Sequence, residues 1–354
     1  MNVRLLNRFF LLLCAPCLGM LLLLAWQGFH VRLPDLPALA PHTQNQTASA
    51  AVNQKLEKAV ANAGTMRTSL ESLIQLYDKT NSEMNTIHKM SGEQAARPQE
   101  IFDSRISVKL GKPVRAISSN NIDLKLYTFN RTTYTGYALK VNLKTDNAMK
   151  MVLGKDRVGG SETTLDAVKR YGAVAGINAG GFADDTATGK RFPLSTTVYG
   201  GKYVYGFEPT FENLAFVGLS TDRKLIGGRF SRQEDLDKLK PDFGATFVPV
   251  LLKSGTKQQI PAQWQNSPRR APRTVVGNFG NDQLLFIVTD GYDEKGGSGA
   301  TLMELQDMLQ ELKIVDAYNL DGGGSSSLIV EGRTINRPSD GRLRPLPTHF
   351  LFFK

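Results

Sequence analysis

The N-terminal end of the chain carries a long, uninterrupted apolar run. Residues 9–29 contain no charged side chain, and 21 residues of helix would span about 31 Å, enough to cross a bilayer. Arg4 and Arg8 precede the run, which favours a cytoplasmic N-terminus. We therefore predict a cytoplasmic tip and a single-pass signal anchor over 1–33, with the rest of the chain outside the cytoplasm. The alternative is a cleaved signal peptide, with 38–40 as its cleavage box.

The next segment changes from irregular to strictly periodic. Residues 34–50 are rich in Pro and small polar side chains and predict a flexible stalk. Residues 51–90 then predict a coiled-coil helix, with self-association through 52–87, because apolar residues recur at alternating intervals of four and three. The alternative is one amphipathic helix packed on its own domain. Residues 91–106 contain one Gly and one Pro and predict a linker. The repeated positions are Val52, Leu56, Ala59, Ala63, Met66, Leu70, Leu73, Tyr77, Thr80, Met84 and Ile87.

Short β-rich runs and amphipathic stretches are interspersed through 107–354. This pattern predicts one mixed α/β (α+β) domain with a central mixed sheet and flanking helices. The predicted strands are 123–129, 135–143, 148–153, 173–178, 273–280, 284–290, 314–320 and 326–330. The predicted helices are 161–171 and 301–312, the second opened by a capping box of Thr301 and Glu304.

Two aspartates end two of these strands. The order strand 284–290, helix 301–312, strand 314–320 predicts a βαβ unit with parallel strands in one sheet. Asp290 and Asp321 then lie at the same carboxyl edge, where open α/β sheets bind ligands. A pair of facing carboxylates, roughly 5–10 Å apart, suits acid–base work at a glycosidic bond. The alternative is that each Asp-Gly only begins a turn.

A glycine- and serine-rich loop follows the second aspartate. Three consecutive glycines are expensive in regular structure but allow backbone amides to approach an anion closely, and the hydroxyls add donors. We therefore predict anion or sugar binding here, against the alternative of a plain flexible loop. The candidate residues are Asn319, Gly323, Gly324, Ser325 and Ser326.

Other candidates stand at strand or helix ends. Asn178 and Gly181 follow an apolar strand, and an amide side chain can both donate and accept. Arg273 and Arg344 are suited to bidentate contacts with phosphate, and the alternative for each is an ordinary solvated arginine. Glu162 lies near a helix start, as a third catalytic candidate or as a favourable charge at the helix N-terminus.

Composition narrows the chemistry. Both cysteines lie in the apolar run, and His349 is the one histidine of 107–354, so a cysteine nucleophile and a multi-histidine metal site are excluded there. The formal charge is +10, without the basic helix or aromatic ladder of a nucleic-acid binder. Two interpretations of the positive charge remain: an anionic glycan or lipid partner, or an ordinary solvated surface. No cofactor is required, although Asp290 and Asp321 could coordinate a divalent cation such as calcium.

Taken together, these motifs resemble the phosphodiester glycosidase family over roughly 150–354. They occur in family order as Asn178-Ala179-Gly180-Gly181-Phe182, Pro272-Arg273-Thr274, Asp290-Gly291, Asn319 to Ser326, and Asn336-x-Pro338 with Arg344. Two details depart from the family: the glycine turn often reads NGGFF, and an acidic residue commonly precedes the final arginine, where this chain has Leu343.

The resemblance implies removal of a sugar that is joined through its anomeric carbon to a phosphodiester. It implies a site lined by Asp290, Asp321, Asn178, Arg273, Ser325 and Arg344. We therefore expect a membrane-anchored, extracytoplasmic hydrolase acting on a cell-surface or exopolysaccharide glycan. The alternatives are a non-catalytic binding module for phosphorylated wall polymers and a scaffold that acts mainly through its coiled coil.

Overall fold

The computed structural model describes residues 19–20, 22–23, 45–211, 213–291 and 298–354. The chain divides into two compact units between Thr86 and Ile87. The helices are α1 (Asn45–Leu110), α2 (Thr164–Tyr171), α3 (Gln233–Asp237), α4 (Ala262–Asn266) and α5 (Leu302–Glu311), with single 3₁₀ turns at Gly154–Asp156 and Gly323–Ser325.

Twenty short strands supply most of the regular secondary structure in the described part of the second unit. The first ten are β1 (Arg115–Ser118), β2 (Ile122–Arg131), β3 (Tyr134–Leu143), β4 (Met149–Leu153), β5 (Ala175–Asn178), β6 (Phe182–Asp185), β7 (Lys190–Pro193), β8 (Val198–Tyr199), β9 (Lys202–Tyr203) and β10 (Ala215–Ser220). The others are β11 (Leu225–Gly228), β12 (Pro241–Phe247), β13 (Val250–Lys253), β14 (Thr256–Lys257), β15 (Arg273–Asn278), β16 (Leu284–Thr289), β17 (Asp316–Leu320), β18 (Leu328–Val330), β19 (Arg333–Thr334) and β20 (Thr348–Phe352).

Across the described ranges, the strands form three sheets and one separate hairpin. Sheet I has eight strands in the order β1-β2-β3-β16-β15-β17-β13-β14. Sheet II runs β11-β10-β12-β8-β9, sheet III runs β19-β18-β5-β20-β4, and β6 pairs with β7 alone. Each of these strand pairs is antiparallel, so the fold is mixed α+β with several antiparallel sheets and few helices.

The predicted central mixed sheet is therefore corrected. β16 and β17 do point the same way in sheet I, with α5 between them in sequence, but β15 lies between them and pairs antiparallel with both. The physical reason is a long-range one: β15 precedes the βαβ segment in the chain, and a local pattern does not show that it inserts there. The predicted capping box at Thr301 and Glu304 is confirmed.

Two apolar cores cover the two faces of sheet I. One face packs against sheets II and III through side chains such as Phe286, Phe243 and Phe350. The other face packs against α5 and the C-terminal end of α1, where Ile106 and Leu110 are buried. Sheet I is thus covered on both sides, and its strand ends are left to carry polar side chains.

Helix α1 continues through the segment that was predicted as a linker, so the linker at 91–106 is corrected to helix. A proline in a helix interior costs about 3 kcal/mol. Packing at the C-terminal end of α1 offsets that cost: Ile106 is buried, and Asp103 accepts hydrogen bonds from Lys125 and Lys140. Tertiary contacts therefore override the local breaker signals.

The predictions for the first unit are tested only in part. Residues 45–50 are helical rather than part of a flexible stalk, whereas 34–44 lie outside the described residues. Among the residues that the structure describes, none belongs to a helix long and apolar enough to span a membrane. The predicted anchor at 9–29 lies outside the described residues except for 19–20 and 22–23, and it stays a prediction.

Candidate active site

The two aspartates stand on either side of the start of β15. Thr289 pairs with Arg273 and Leu320 pairs with Thr274, so the residue after each strand, Asp290 or Asp321, reaches the same edge of sheet I. Neighbouring strands lie about 4.8 Å apart, which separates these two backbone positions by roughly 10 Å. The edge predicted from sequence is therefore formed, with one strand between the two carboxylates.

Asp321 is half-buried and has a polar environment of its own. Its Oδ1 accepts a hydrogen bond from the amide of Gly322 at 3.0 Å, and its carboxylate accepts another from the hydroxyl of Ser325. Burial raises the pKa of Asp321 to about 6, although those hydrogen bonds and the positive charges of Arg344 and Arg191 act in the opposite direction. A carboxyl group with a pKa near 6 can exchange protons close to neutral pH.

Asp290 is more deeply buried, with 2% of its surface exposed. Its Oδ2 accepts from the hydroxyl of Tyr137 at 3.1 Å, and its Oδ1 accepts from the amide of Arg337 at 2.7 Å. Burial raises the pKa of Asp290, and these two hydrogen bonds partly offset the rise. The two aspartates thus have different neighbours and different access to solvent.

The glycine loop forms a tight turn whose amides are used inside the protein. The amide of Gly323, at φ +59°, donates to the carbonyl of Pro272 at 2.9 Å. Ser325 donates to the carbonyl of Gly322 and Ser326 to that of Gly323, each at 3.1 Å. The expected row of free backbone donors is therefore largely absent from this described loop, because the 3₁₀ turn needs those donors itself. An anion at this loop would be bound mainly by side chains.

Gly324 allows a close approach of the C-terminal tail. A Cβ at this position would overlap the guanidinium of Arg344 and the carboxylate of Asp340. Arg344 donates from Nε to Asp340 at 2.9 Å, and its Nη1 lies 3.5 Å from the hydroxyl of Ser325. The acidic partner that the sequence lacks next to Arg344 is thus supplied from four residues upstream. Sequence reasoning missed Asp340, although an Asp at i−4 to an Arg was a visible signal.

Asn178 links the inner elements of the site. It is buried, donates from Nδ2 to the carbonyl of Asp321 at 2.6 Å, and accepts at Oδ1 from Thr274 and from the amide of Ser327. The hydroxyl of Thr274 also lies 3.2 Å from that of Ser326. The predicted binding residues Asn178 and Ser326 therefore lie in one buried network that holds the backbone of Asp321.

Two further binding candidates also make contacts within the fold. The amide of Gly181 donates to the carbonyl of Thr246 at 3.0 Å, and a Cβ there would press on the ring of Phe247. Asn319 is buried and donates from Nδ2 to the carbonyl of Val248. Neither Gly181 nor Asn319 has a described contact with Asp321 or Arg344. A direct role in binding stays a prediction for both residues.

Arg273 is buried at the start of β15. Side chains alternate along β15, and Arg273 points away from the Thr274 network, donating to the carbonyls of Pro268 at 2.8 Å and Ala300 at 3.4 Å. Burial lowers its pKa to about 10. Among the described side chains, no carboxylate lies within 4 Å of its guanidinium. The two predicted phosphate-binding arginines, Arg273 and Arg344, thus have different hydrogen-bond partners within the fold.

Glu162 is engaged elsewhere. Its carboxylate forms an ion pair with Arg170 and accepts from the amide of Lys155 at 2.9 Å, which is a structural use of the charge. His349 is fully buried, and burial lowers its pKa to about 4, so it is neutral at pH 7. Its Nδ1 lies 3.1 Å from the hydroxyl of Thr164. Neither residue has a described contact with the two aspartates.

The described carboxylates of this region are not clustered as a metal site would require. Within the described ranges there is no group of three or more His, Cys, Asp or Glu residues placed to hold a metal ion. Because Asp290 and Asp321 have separate neighbours, the predicted calcium coordination by this pair gains no support from their geometry. Metal dependence stays an open prediction.

Comparisons with known proteins agree with the family resemblance. The sequence model of the phosphodiester glycosidase family matches residues 171–353. N-acetylglucosamine-1-phosphodiester alpha-N-acetylglucosaminidase from Bos taurus is 27% identical over 192 residues, covering 50% of this chain and 35% of the relative. The Mus musculus enzyme of that name is 38% identical over 137 residues, covering 35% and 26%. The chain thus spans about a quarter to a third of the length of these curated relatives.

Solved structures show the same fold at low sequence identity. The catalytic domain of zebrafish N-acetylglucosamine-1-phosphodiester alpha-N-acetylglucosaminidase, described as auto-inhibited by its pro-peptide, superposes with a TM-score of 0.53 at 21% identity, covering 69% of this chain and 86% of that one. A hypothetical protein from Synechocystis superposes with a TM-score of 0.54 at 14% identity, covering 68% and 64%.

Proposed function

Because this chain belongs to the phosphodiester glycosidase family, we propose that it hydrolyses the bond between the anomeric carbon of a sugar and the phosphate of a sugar-1-phosphodiester. N-acetylglucosamine is the first sugar to test, since the named relatives act on it. The observation that carries the proposal is Asp321: a half-buried carboxyl group with a pKa of about 6, with Ser325 and Arg344 beside it at the glycine loop.

The proposed chemistry divides between this carboxylate and its neighbours. Arg344 and Ser325 hold the phosphate, and Asp321 acts on the anomeric side, either by taking a proton from the attacking water or as a nucleophile. The C–O bond to the phosphate breaks, the sugar gains the hydroxyl, and the phosphate leaves as a monoester. A phosphate is a good leaving group, so strong acid assistance is not required.

We assign the first role to Asp321 rather than to Asp290 on the basis of access. Asp290 is almost fully buried and already accepts from Tyr137 and the amide of Arg337. Its raised pKa suits a proton carrier, but a substrate atom would first have to displace one of these donors. Asp290 therefore supports the edge of the site, with proton transfer as its second proposed role.

The deciding experiment incubates the full chain with a panel of sugar-1-phosphodiesters and measures the released sugar and its anomeric configuration. Asp321→Asn is the matched inactive control. Release of sugar by the wild type but not by the variant supports the hydrolase. Binding of phosphorylated wall polymers without any release would instead support the non-catalytic binding module.

For the cellular setting, we propose a membrane-anchored, extracytoplasmic protein that acts on a cell-surface or exopolysaccharide glycan. The uncharged run at 9–29 and the basic residues before it support this orientation. Protease added to intact cells should then remove the 107–354 domain. Full protection, with permeabilised cells as the control, would contradict the proposed location.

We also propose self-association through 52–87. This part of α1 is helical, and in the single chain its apolar side chains, including Leu56, Leu70 and Leu73, are each about 60% exposed. Covering such a stripe with a second copy of the same helix would remove it from water.

A further inference from the structure

A third arginine, which no motif singled out, is fixed at the same site. Arg191 lies on β7 of the β6–β7 hairpin, and its guanidinium stacks on the ring of Phe182, 4.9 Å from the ring centroid. Its Nε donates to Asp184 at 2.8 Å. The stacked ring and the ion pair together hold the plane of the guanidinium, so little side-chain freedom is left to lose when a ligand binds.

The hairpin brings this guanidinium beside the C-terminal tail. Nη1 of Arg191 donates to the carbonyl of Pro345, the residue directly after Arg344. The side chains of Arg191 and Arg344 are 24% and 29% exposed, so both reach solvent, unlike Arg273 with 5%. Nη2 of Arg191 donates to no acceptor in the described part of the chain, which leaves N–H groups for a ligand.

The two arginines have the same construction. Each guanidinium group forms an ion pair with one aspartate: Arg191 with Asp184, and Arg344 with Asp340. Both positive charges also act on Asp321. An anion that lies between two guanidinium groups is attracted by both of them. Guanidinium groups whose planes are already oriented suit the bidentate recognition of phosphate oxygens.

We propose that Arg191 and Arg344 together form the phosphate subsite, with Arg191 as a specificity-determining residue for the phosphate of the substrate. The proposal rests on the function proposed above and refines it. The phosphate lies between the hairpin and the tail on the Asp321 side of the edge, and the buried Arg273 takes no direct part in holding it.

Direct binding of a product analogue tests the subsite without turnover. Methyl phosphate and inorganic phosphate are titrated into the full chain by calorimetry at pH 7.5 and low salt. Losing one charge-assisted pair costs about 1.5–3 kcal/mol, so Arg191→Gln should weaken methyl phosphate binding about 10- to 100-fold. Arg191→Lys keeps the positive charge but loses the planar guanidinium group, so its affinity for methyl phosphate should lie between those of the wild type and Arg191→Gln. Arg232→Gln breaks another Arg–Asp pair, with Asp235, and should bind like the wild type.

The outcomes separate the two proposals. If the wild type releases sugar but Arg191→Gln, folded by its melting temperature, binds methyl phosphate as tightly as the wild type, this subsite is wrong and the hydrolase survives. If phosphate binding depends on Arg191 but no sugar-1-phosphodiester is cleaved, the subsite stands and the hydrolase is wrong. A wild type that binds neither phosphate probe overturns the subsite. Should the Gln variant not fold, the Lys variant gives the same decision.

Discussion

Replacing Asp321 by Asn should make the protein more stable and less active at neutral pH. Burial raises the pKa of this carboxyl from 3.8 to about 6, so the folded state favours the protonated form. A shift of about two units corresponds to about 3 kcal/mol. The ionised carboxylate therefore destabilises the folded state. This destabilisation is absent below about pH 4, where the folded and unfolded states both bind the proton, grows as the pH rises, and is complete above about pH 6.

Asn carries no charge at any of these pH values and keeps an oxygen for the amide of Gly322. At pH 7 we therefore expect Asp321→Asn to unfold with a free energy up to about 3 kcal/mol higher than the wild type, and at pH 4 the difference should vanish. For a domain of this size, each kcal/mol shifts the melting temperature by about 2–4 °C. Over the same range kcat should fall by about 100-fold or more.

The assays are thermal unfolding of wild type and variant from pH 4 to pH 8, together with kcat on a cleaved sugar-1-phosphodiester. Wild-type kcat should decline as the pH falls through about 6, because the carboxylate becomes protonated. Asp123→Asn is the control of opposite sign. Burial opposes ionisation there as well, but hydrogen bonds from Lys144, Ser118 and Asn142 lower the pKa of Asp123, so its Asn variant should lose stability at pH 7.

An Asp321→Asn protein that gains no stability between pH 4 and pH 7 would refute the buried-charge argument. A folded variant with wild-type kcat would refute the catalytic assignment, whatever happens to stability. The two results are independent, since one reports the environment of the carboxyl group and the other its use in the reaction.

Three other changes test the remaining parts of the structure. Gly324→Ala should raise KM by about tenfold with little loss of stability, because the new Cβ displaces the mobile end of Arg344 rather than backbone; steady-state kinetics and melting temperature measure both effects. Asn178→Ala should lower the free energy of unfolding in urea by about 3 kcal/mol, because buried partners of the amide lose their hydrogen bonds. Replacing Leu70 and Leu73 together by Asp should convert the oligomer to monomers by sedimentation and leave the unfolding of the second unit unchanged.

Each of these three predictions has an outcome that would contradict it. An unchanged KM for Gly324→Ala would mean that Arg344 does not hold substrate. Wild-type stability of Asn178→Ala would mean that the buried network contributes little. A wild-type chain that sediments as a monomer at high micromolar concentration would contradict self-association before any variant is made.

The sequence alone was sufficient for the local elements around the site. Helix α5 with its capping box and the strands before Asp290 and Asp321 follow from patterns within about a dozen residues. The family also followed from sequence, because its motifs keep their order along the chain whatever their distances in space.

The tertiary structure decided which of those residues meet. Insertion of β15 between β16 and β17 separates the two aspartates, and the alternation along β15 places Arg273 on the face opposite Thr274 and its network. Arg191 carries no local signal, since it becomes important only when its hairpin reaches the carbonyl of Pro345. Secondary structure depends on neighbours in sequence, which a pattern displays, whereas sheet order, side-chain direction and burial depend on residues a hundred or more positions away. Those contacts set the pKa of Asp321, and so only the folded chain shows that its pKa is raised to about 6.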